Sequence, residues 1–222
     1  MLFRSLPGNV AADISGLEDQ FHTVVIVGRS DQPEPWGAIA LADTVRPQAK
    51  ATIASLKRLG VKVAMLTGDN ERIARALGRY LDIDEVRSGL MPEDKVTTLR
   101  SLRDRYGPVA MVGDGVNDAP ALTEADLGIA MGVAGTGVAI ESADVLLMSD
   151  DIARIPPLLE LSRRSRGVIR QNLTFATIVM LIAASLALVG ILPLSLGVVV
   201  HEGGTLLVVA NGLRLLAGNW RT

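Results

Sequence analysis

The sequence predicts an α/β chain in which a doubly wound parallel sheet is followed by a hairpin of two membrane helices. Three observations lead there. Short apolar runs alternate with helical patterns between Thr23 and Met148. Two of those runs end directly in polar Gly-containing turns, Thr67-Gly68-Asp69-Asn70 and Gly113-Asp114-Gly115. No charged residue occurs from Gln171 to Val200, and the apolar run resumes from Gly203 to Leu213.

In order along the chain, strands are expected near Thr23 to Val27, Gly37 to Leu41, Val61 to Leu66, Glu85 to Ser88, Pro108 to Val112, Leu127 to Ala130 and Asp144 to Met148. Helices are expected near Pro47 to Leu59, Glu71 to Leu81, Pro92 to Tyr106 and Ala119 to Ala125. Gly60 closes the first helix, and Asp69 or Asn70 caps the second. A further helix from about Ile152 runs toward the first span as a stalk, interrupted near Pro156 and Pro157. Pro193 then divides the apolar region into spans of roughly Asn172 to Leu192 and Leu196 to Leu216. No internal repeat or low-complexity tract is present.

Composition agrees with two environments in one chain. Of the 222 residues, 49% are hydrophobic and only 3% aromatic, which is unusual for a purely soluble enzyme. Arg154, Arg163, Arg164, Arg166 and Arg170 precede the first span, Arg214 and Arg221 follow the second, and the connecting turn is uncharged. The positive-inside rule therefore predicts both ends cytoplasmic, and the expected location is the plasma membrane. A net charge of −2, with basic residues gathered at the membrane boundary, gives no reason to expect nucleic acid as a partner, whereas membrane lipid is one. The N-terminus lacks the pattern of a signal peptide, and the absence of cysteine excludes disulfides and thiolate metal sites within this chain.

In a doubly wound sheet the carboxyl ends of the strands gather on one edge, where ligands bind. That edge is expected to collect Thr67, Lys95 (in Met91-Pro92-Glu93-Asp94-Lys95, opening a helix) and the pair Asp114 and Asp118. A threonine hydroxyl can hydrogen-bond a phosphoryl oxygen, an ammonium can neutralise its charge, and two carboxylates can hold Mg2+. The bland alternatives are a helix cap at Thr67 and Asp69, a solvated Lys95 and an acidic turn with no chemistry.

A second cluster lies inside the second span. In His201-Glu202-Gly203-Gly204-Thr205, a histidine and a glutamate in a hydrocarbon-spanning helix cost on the order of a few kcal/mol unless they line a polar cavity or bind something. His201 and Thr205 are one turn apart, Glu202 lies beside them, and the glycines would let another helix approach closely. Imidazole, carboxylate and hydroxyl together suit a borderline divalent transition metal. Hydrogen bonding to a neighbouring helix is the structural alternative.

These motifs resemble those of a known family. TGDN at Thr67 to Asn70, PEDK at Pro92 to Lys95, GDGVNDAPAL at Gly113 to Leu122 and Asp43-Thr44-Val45-Arg46-Pro47 are similar to motifs of P-type cation-transporting ATPases, members of the haloacid-dehalogenase-like phosphotransferases. HEGGT resembles the signature of a heavy-metal subgroup described as cobalt-type exporters. The resemblance implies a HAD-like phosphorylation domain at 23–150 after a nucleotide-domain remnant at 1–22, then a stalk helix at 151–171 and a transmembrane hairpin at 172–222. It implies that Thr67 binds the phosphoryl oxygen, Lys95 stabilises its charge, Asp114 ligates Mg2+ and Asp118 ligates or positions it. Gly68, Asp69 and Asn117 would contact ATP or phosphate. His201, Glu202 and Thr205 would bind the transported Co2+, Zn2+, Ni2+ or Fe2+.

The sequence departs from that pattern in three places. Gly135-Thr136-Gly137 stands where many relatives carry an aspartate in third position. The Asp-Lys-Thr-Gly motif, whose aspartate the family phosphorylates at the end of its central strand, does not occur, and Asp82-Ile83-Asp84 reads as a surface turn instead. Ser-Pro-Cys, which completes the subgroup's transport site, is also absent. The expectation is the C-terminal part of a pump, as a truncated gene product, one half of a split enzyme or a fragment, inactive without the missing N-terminal part that supplies the nucleophile, the actuator and further membrane helices. The competing expectation is a catalytically silent, membrane-anchored HAD-like protein with a binding or regulatory role.

Overall fold

The structure is a computed structural model that describes residues 14–18, 22–28, 36–42, 44–113, 117–132 and 141–216. The chain separates into two compact units, Met1–Arg154 and Ile155–Thr222.

After a helical turn at 14–18, the first unit continues with strands β1 (His22–Val27) and β2 (Gly37–Ala42), which pair antiparallel with Val25 opposite Ile39. This hairpin departs from the all-parallel expectation. The other strand pairings are parallel: β3 (Ala64–Leu66) with β4 (Glu85–Arg87), and β5 (Ala110–Gly113) with β6 (Leu127–Met131), which also pairs with β7 (Val145–Leu147). Among the described residues the parallel strands thus fall into two pieces, β3-β4 and β5-β6-β7. Among those residues, each of β3 and β5 is hydrogen-bonded along one edge only.

Strand β3 is shorter than the apolar run suggests. The Asp84 carboxylate accepts the Val63 N–H at 2.9 Å, and the Asp84 N–H donates to Val63 O at 3.0 Å, so this segment is occupied by a side chain before the ladder begins. Asp82-Ile83-Asp84 does form a turn, with Asp82 left-handed at φ 59°. The turn is at the surface, with Asp82 and Asp84 exposed, and Asp84 lies within 3.6 Å of Lys57 and 3.4 Å of Lys62.

The helices follow their local signals. Helix α1 (Ala49–Arg58) is closed by Gly60 at φ +76°. Helix α2 (Glu71–Leu81) starts where Asn70 Oδ1 accepts the Arg72 N–H at 2.9 Å, so Asn70, not Asp69, is the cap. Gly78 lets α2 lie against β4, since a Cβ there would come within 2.4 Å of Val86 Cγ2. Helix α3 (Pro92–Tyr106) opens on Pro92, with Asp94 Oδ2 accepting the Met91 N–H at 3.0 Å. Helix α4 (Ala119–Glu124) is a short helix that follows Asp118 directly.

A core of Leu99, Met111, Ala121, Leu122 and Ala130 joins α3, α4, β5 and β6, and Leu66 of β3 packs against it. That packing carries the β3 terminus to the same core as β5, which is what the site requires. A second cluster of Ala49, Ile53 and Leu81, with Val63 and Ile152 against it, anchors α1 to the end of the unit. Nearby, Arg46 of the Asp43-to-Pro47 motif pairs with Asp150 at 2.8 Å. Asp43 itself, residues 1–13 and the 135–137 turn lie outside the described residues.

The second unit is a helical hairpin of α5 (Ile155–Leu188) and α6 (Leu194–Leu213), both long and apolar enough to cross a membrane. Pro156 and Pro157 do not interrupt the stalk. They sit in the first turn of α5, after a 3-10 turn at Ile152–Arg154, where the N–H groups that proline lacks have no intrahelical acceptor anyway. Stalk and first span are accordingly one continuous helix. Asn172 Nδ2 donates to Val208 O at 3.3 Å and Asn211 Nδ2 to Asn172 Oδ1 at 2.8 Å, joining the two helices by polar contacts.

Candidate functional site

The candidate site of the first unit is built from two loops and two helix starts. After β3 the chain turns through Thr67, whose hydroxyl donates to Asp69 Oδ2 at 2.7 Å and accepts the Asp69 N–H at 3.1 Å. Thr67 N–H donates to Arg87 O at 2.9 Å, Leu90 N–H to Thr67 O at 3.0 Å and Gly89 N–H to Asp69 O at 2.9 Å. These bonds stitch the loop after β3 to the loop after β4. Gly68 fits closely, because a Cβ would meet Leu90 O at 3.3 Å.

The second half is an ion pair. Lys95 Nζ lies 2.5 Å from Asp118 Oδ1, and each side chain is only about 15% exposed, at 15% and 14%. Lys95 reaches it from the first turn of α3, and Asp118 is held at the entry of α4, where its carbonyl accepts the Leu122 N–H at 2.8 Å. Gly113 at the end of β5 makes the approach possible. A Cβ at that position would stand 2.5 Å from Asp118 Oδ2 and 2.7 Å from Asp118 Cβ.

Of the sequence-predicted residues, the structure joins Lys95 to Asp118 directly. Thr67 reaches the same core through Leu66 and bonds to Asp69, with no hydrogen bond to Lys95 or Asp118. Asn117 is exposed beside Asp118. Asp114 lies outside the described residues. Lys95 is not the solvated charge of the bland alternative, since it neutralises a carboxylate within the site.

In the hairpin, His201, Glu202 and Thr205 are exposed, and Thr205 Oγ1 donates to His201 O at 3.1 Å. Among the described residues no three His, Cys, Asp or Glu side chains come together as a metal cage. The predicted close approach at Gly203 and Gly204 is not made by α5, since a Cβ at either would meet nothing within 4 Å.

Sequence reasoning missed the contacts that hold α3 to α4. Arg103 Nε donates to Asp126 Oδ2 at 3.0 Å, its Nη1 to Glu124 Oε1 at 3.3 Å and its Nη2 to Glu124 O. Arg100 adds a two-pronged contact to the Glu124 carboxylate at 3.1 and 2.9 Å. The alternation of Arg100 and Arg103 on one helical face was the available signal.

Four carboxylates in the first unit are held below the usual range. For Asp84 the main cause is the Val63 N–H, for Glu85 the Arg87 guanidinium, for Glu124 Arg100, and for Asp126 the Val109 N–H. A carboxyl group whose folded pKa is depressed stabilises the fold above its unfolded pKa and loses that contribution as pH falls through the folded value. The melting temperature of the first unit, followed by circular dichroism, is therefore expected to hold level above about pH 5 and to fall below about pH 4.

The residues 1–126 match the family model described as haloacid dehalogenase-like hydrolase. The chain is 45% identical over 195 residues to the zinc-transporting ATPase of Bacillus subtilis (strain 168), a match covering 88% of the chain and 30% of that protein. It is 42% identical over 217 residues to a probable cadmium-transporting ATPase of Alkalihalophilus pseudofirmus, covering 97% of the chain and 30% of the relative. Among solved structures, the crystal structure of a zinc-transporting PIB-type ATPase in its E2.Pi state superposes with a TM-score of 0.80 at 44% identity, over 95% of this chain and 34% of that one. The fold is HAD-like, as the motifs led one to expect, and the chain spans about 30% of the length of these curated relatives.

Proposed function

The chain belongs to the haloacid dehalogenase-like hydrolases, and from that premise we propose that it is the C-terminal part of an ATP-driven pump for a divalent transition metal. The reading rests above all on the Lys95–Asp118 ion pair at the carboxyl end of β5, in a chain similar to zinc- and cadmium-transporting ATPases. Those names put zinc ahead of the cobalt that the HEGGT resemblance suggested, while nickel and iron gain no support.

Each residue has a role in this proposal. Thr67 presents its hydroxyl to a phosphoryl oxygen on giving up its bond to Asp69, and Gly68, Asp69 and Asn117 contact nucleotide or phosphate from the same edge. Lys95 holds Asp118 in place and offers its remaining N–H groups to developing negative charge. The oxygen donors of Asp114 and Asp118 suit Mg2+, and Gly113 leaves the space beside Asp118 that a Cβ would fill. When bound, Mg2+ supplies Lewis-acid neutralisation of the phosphoryl charge.

Among the described residues β3 and β5 each keep one edge unpaired, which fits a sheet completed by a further strand between them that carries the nucleophile. In the hairpin, His201, Glu202 and Thr205 turn to the surface that further membrane helices would cover, and they would bind the transported ion there. Both termini lie on the cytoplasmic side in this reading. The domain roles proposed are those of a phosphorylation domain before 150, a stalk and a two-span anchor.

The test is co-expression with a polypeptide corresponding to the remaining part of the Bacillus subtilis relative, followed by incubation with radiolabelled ATP. The chain alone is expected to take up no label. The assembled pair is expected to form an acid-stable phosphoenzyme whose turnover is stimulated by Zn2+ and no longer stimulated after His201→Ala. Labelling of the chain alone would reveal a nucleophile elsewhere and overturn the proposal. A complex that assembles but never labels would leave the silent membrane-anchored protein as the better reading.

A further inference from the structure

Helix α4 has only six residues, too few to hold a helical conformation or a fixed direction alone. Its N-terminal neighbour is Asp118, so whatever fixes the axis of α4 fixes the carboxylate. The two buried side chains of α4, Ala121 and Leu122, lock its height over the core but are apolar contacts without directional preference. Direction comes from its other end. Arg103 binds the terminal carbonyl of α4 at Glu124, the Glu124 carboxylate and the Asp126 carboxylate, while Asp126 Oδ2 also accepts the Val109 N–H at 2.8 Å. One guanidinium therefore connects the C-terminus of α4 to the segment that leads into β5 and the segment that opens β6. Lys95 stands eight residues before Arg103 on the same helix, so α3 grips α4 at both ends.

We propose that Arg103 is a positioning residue for the candidate site: by fixing the C-terminus of α4 against α3, it sets where the Asp118 carboxylate meets Lys95 and is presented to a divalent cation. It touches neither phosphate nor metal. Arg100, whose contacts reach only the Glu124 carboxylate and whose side chain is 60% exposed, contributes to holding the two helices together but not to the direction of α4. The metal half of the inference rests on the function proposed above. The half that concerns the Lys95–Asp118 geometry does not.

The experiment uses the full chain in detergent micelles, unaltered and as Arg103→Gln, Arg103→Lys and Arg100→Gln. The first readout is the Lys95 side-chain ammonium resonance, which is visible by NMR only while the ion pair shields it from exchange. The second is Mn2+ affinity, read from the paramagnetic signal of free Mn2+. Arg103→Gln is expected to lose the ammonium resonance and to weaken Mn2+ binding by about tenfold, as when a residue that supports a metal ligand is removed. Backbone amide signals of α3 outside its first turn should stay native. Arg103→Lys should restore part of both readouts, and Arg100→Gln should leave both unchanged. An ammonium resonance that persists in Arg103→Gln overturns the inference, and so does an equal loss in Arg100→Gln. If the unaltered chain binds no Mn2+ while the resonance still depends on Arg103, the metal reading falls and the positioning role stands.

Discussion

Lys95→Ala is expected to lower phosphoenzyme formation by the proposed pump by about 100-fold, the loss typical when one preorganised charge is removed from a transferring group. Two effects combine. The ammonium that would meet the phosphoryl charge disappears, and Asp118 is left as an unpaired carboxylate in a site where both side chains are mostly enclosed. The second effect also costs stability, about 2 kcal/mol once the remaining exposure of the pair is allowed for. Lys95→Arg separates the two: the fold should recover, since a cation again faces Asp118, while the longer and planar group meets the phosphoryl oxygens in a different geometry and restores only part of the rate. Rapid-quench labelling and thermal melting of the same samples measure both. A Lys95→Ala pump that labels at the normal rate would remove this lysine from the chemistry.

Gly128→Ala is expected to give the largest loss of stability among conservative changes in the first unit. Gly128 lies in β6, the middle strand of three, and a Cβ there would stand 2.6 Å from Leu122 O and 3.2 Å from Leu122 C. These are backbone atoms of α4, so no rotamer change relieves the collision. Either α4 lifts off the sheet or β6 shifts out of register with β5 and β7. Both disturb the core around Leu99 and Leu122, at about 2–3 kcal/mol, which for a unit of this size lowers the melting temperature by roughly 5–10 °C. Gly167→Ala is the control. In the helical interior of α5 an added Cβ meets nothing within 4 Å, so the change should be neutral or slightly stabilising.

What the sequence made legible, and what it hid, divides along the range of the interactions. Helices α2 and α3 run over the expected residues because their ends are coded locally, by Asn70 at one start and by Pro92 and Asp94 at the other. The candidate site residues were legible as motifs because each sits at a strand end or helix start. Their pairing was not. That Lys95 would bond to Asp118 across 23 residues depends on how α3 and α4 pack. The late start of β3 was hidden because the carboxylate that occupies Val63 comes from Asp84, beyond an intervening helix. The prolines of α5 misled because proline breaks a helix interior but suits its first turn, and the pattern of apolar residues does not say where that turn falls. The antiparallel β1-β2 pair was hidden because alternating apolar residues give the face of a strand but not the direction of its neighbour.

The half-paired strands β3 and β5 also bear on how the chain behaves when made without a complement. Each presents a row of amide and carbonyl groups that a like chain can zip onto, and natural proteins shield such rims with charge, proline or a covering segment. Solubility should therefore depend on what covers them. Expressed without a segment that covers those rims, the molecule would pile up into clumps or be cleared by proteolysis, and a strand that fills the slot would keep it dispersed.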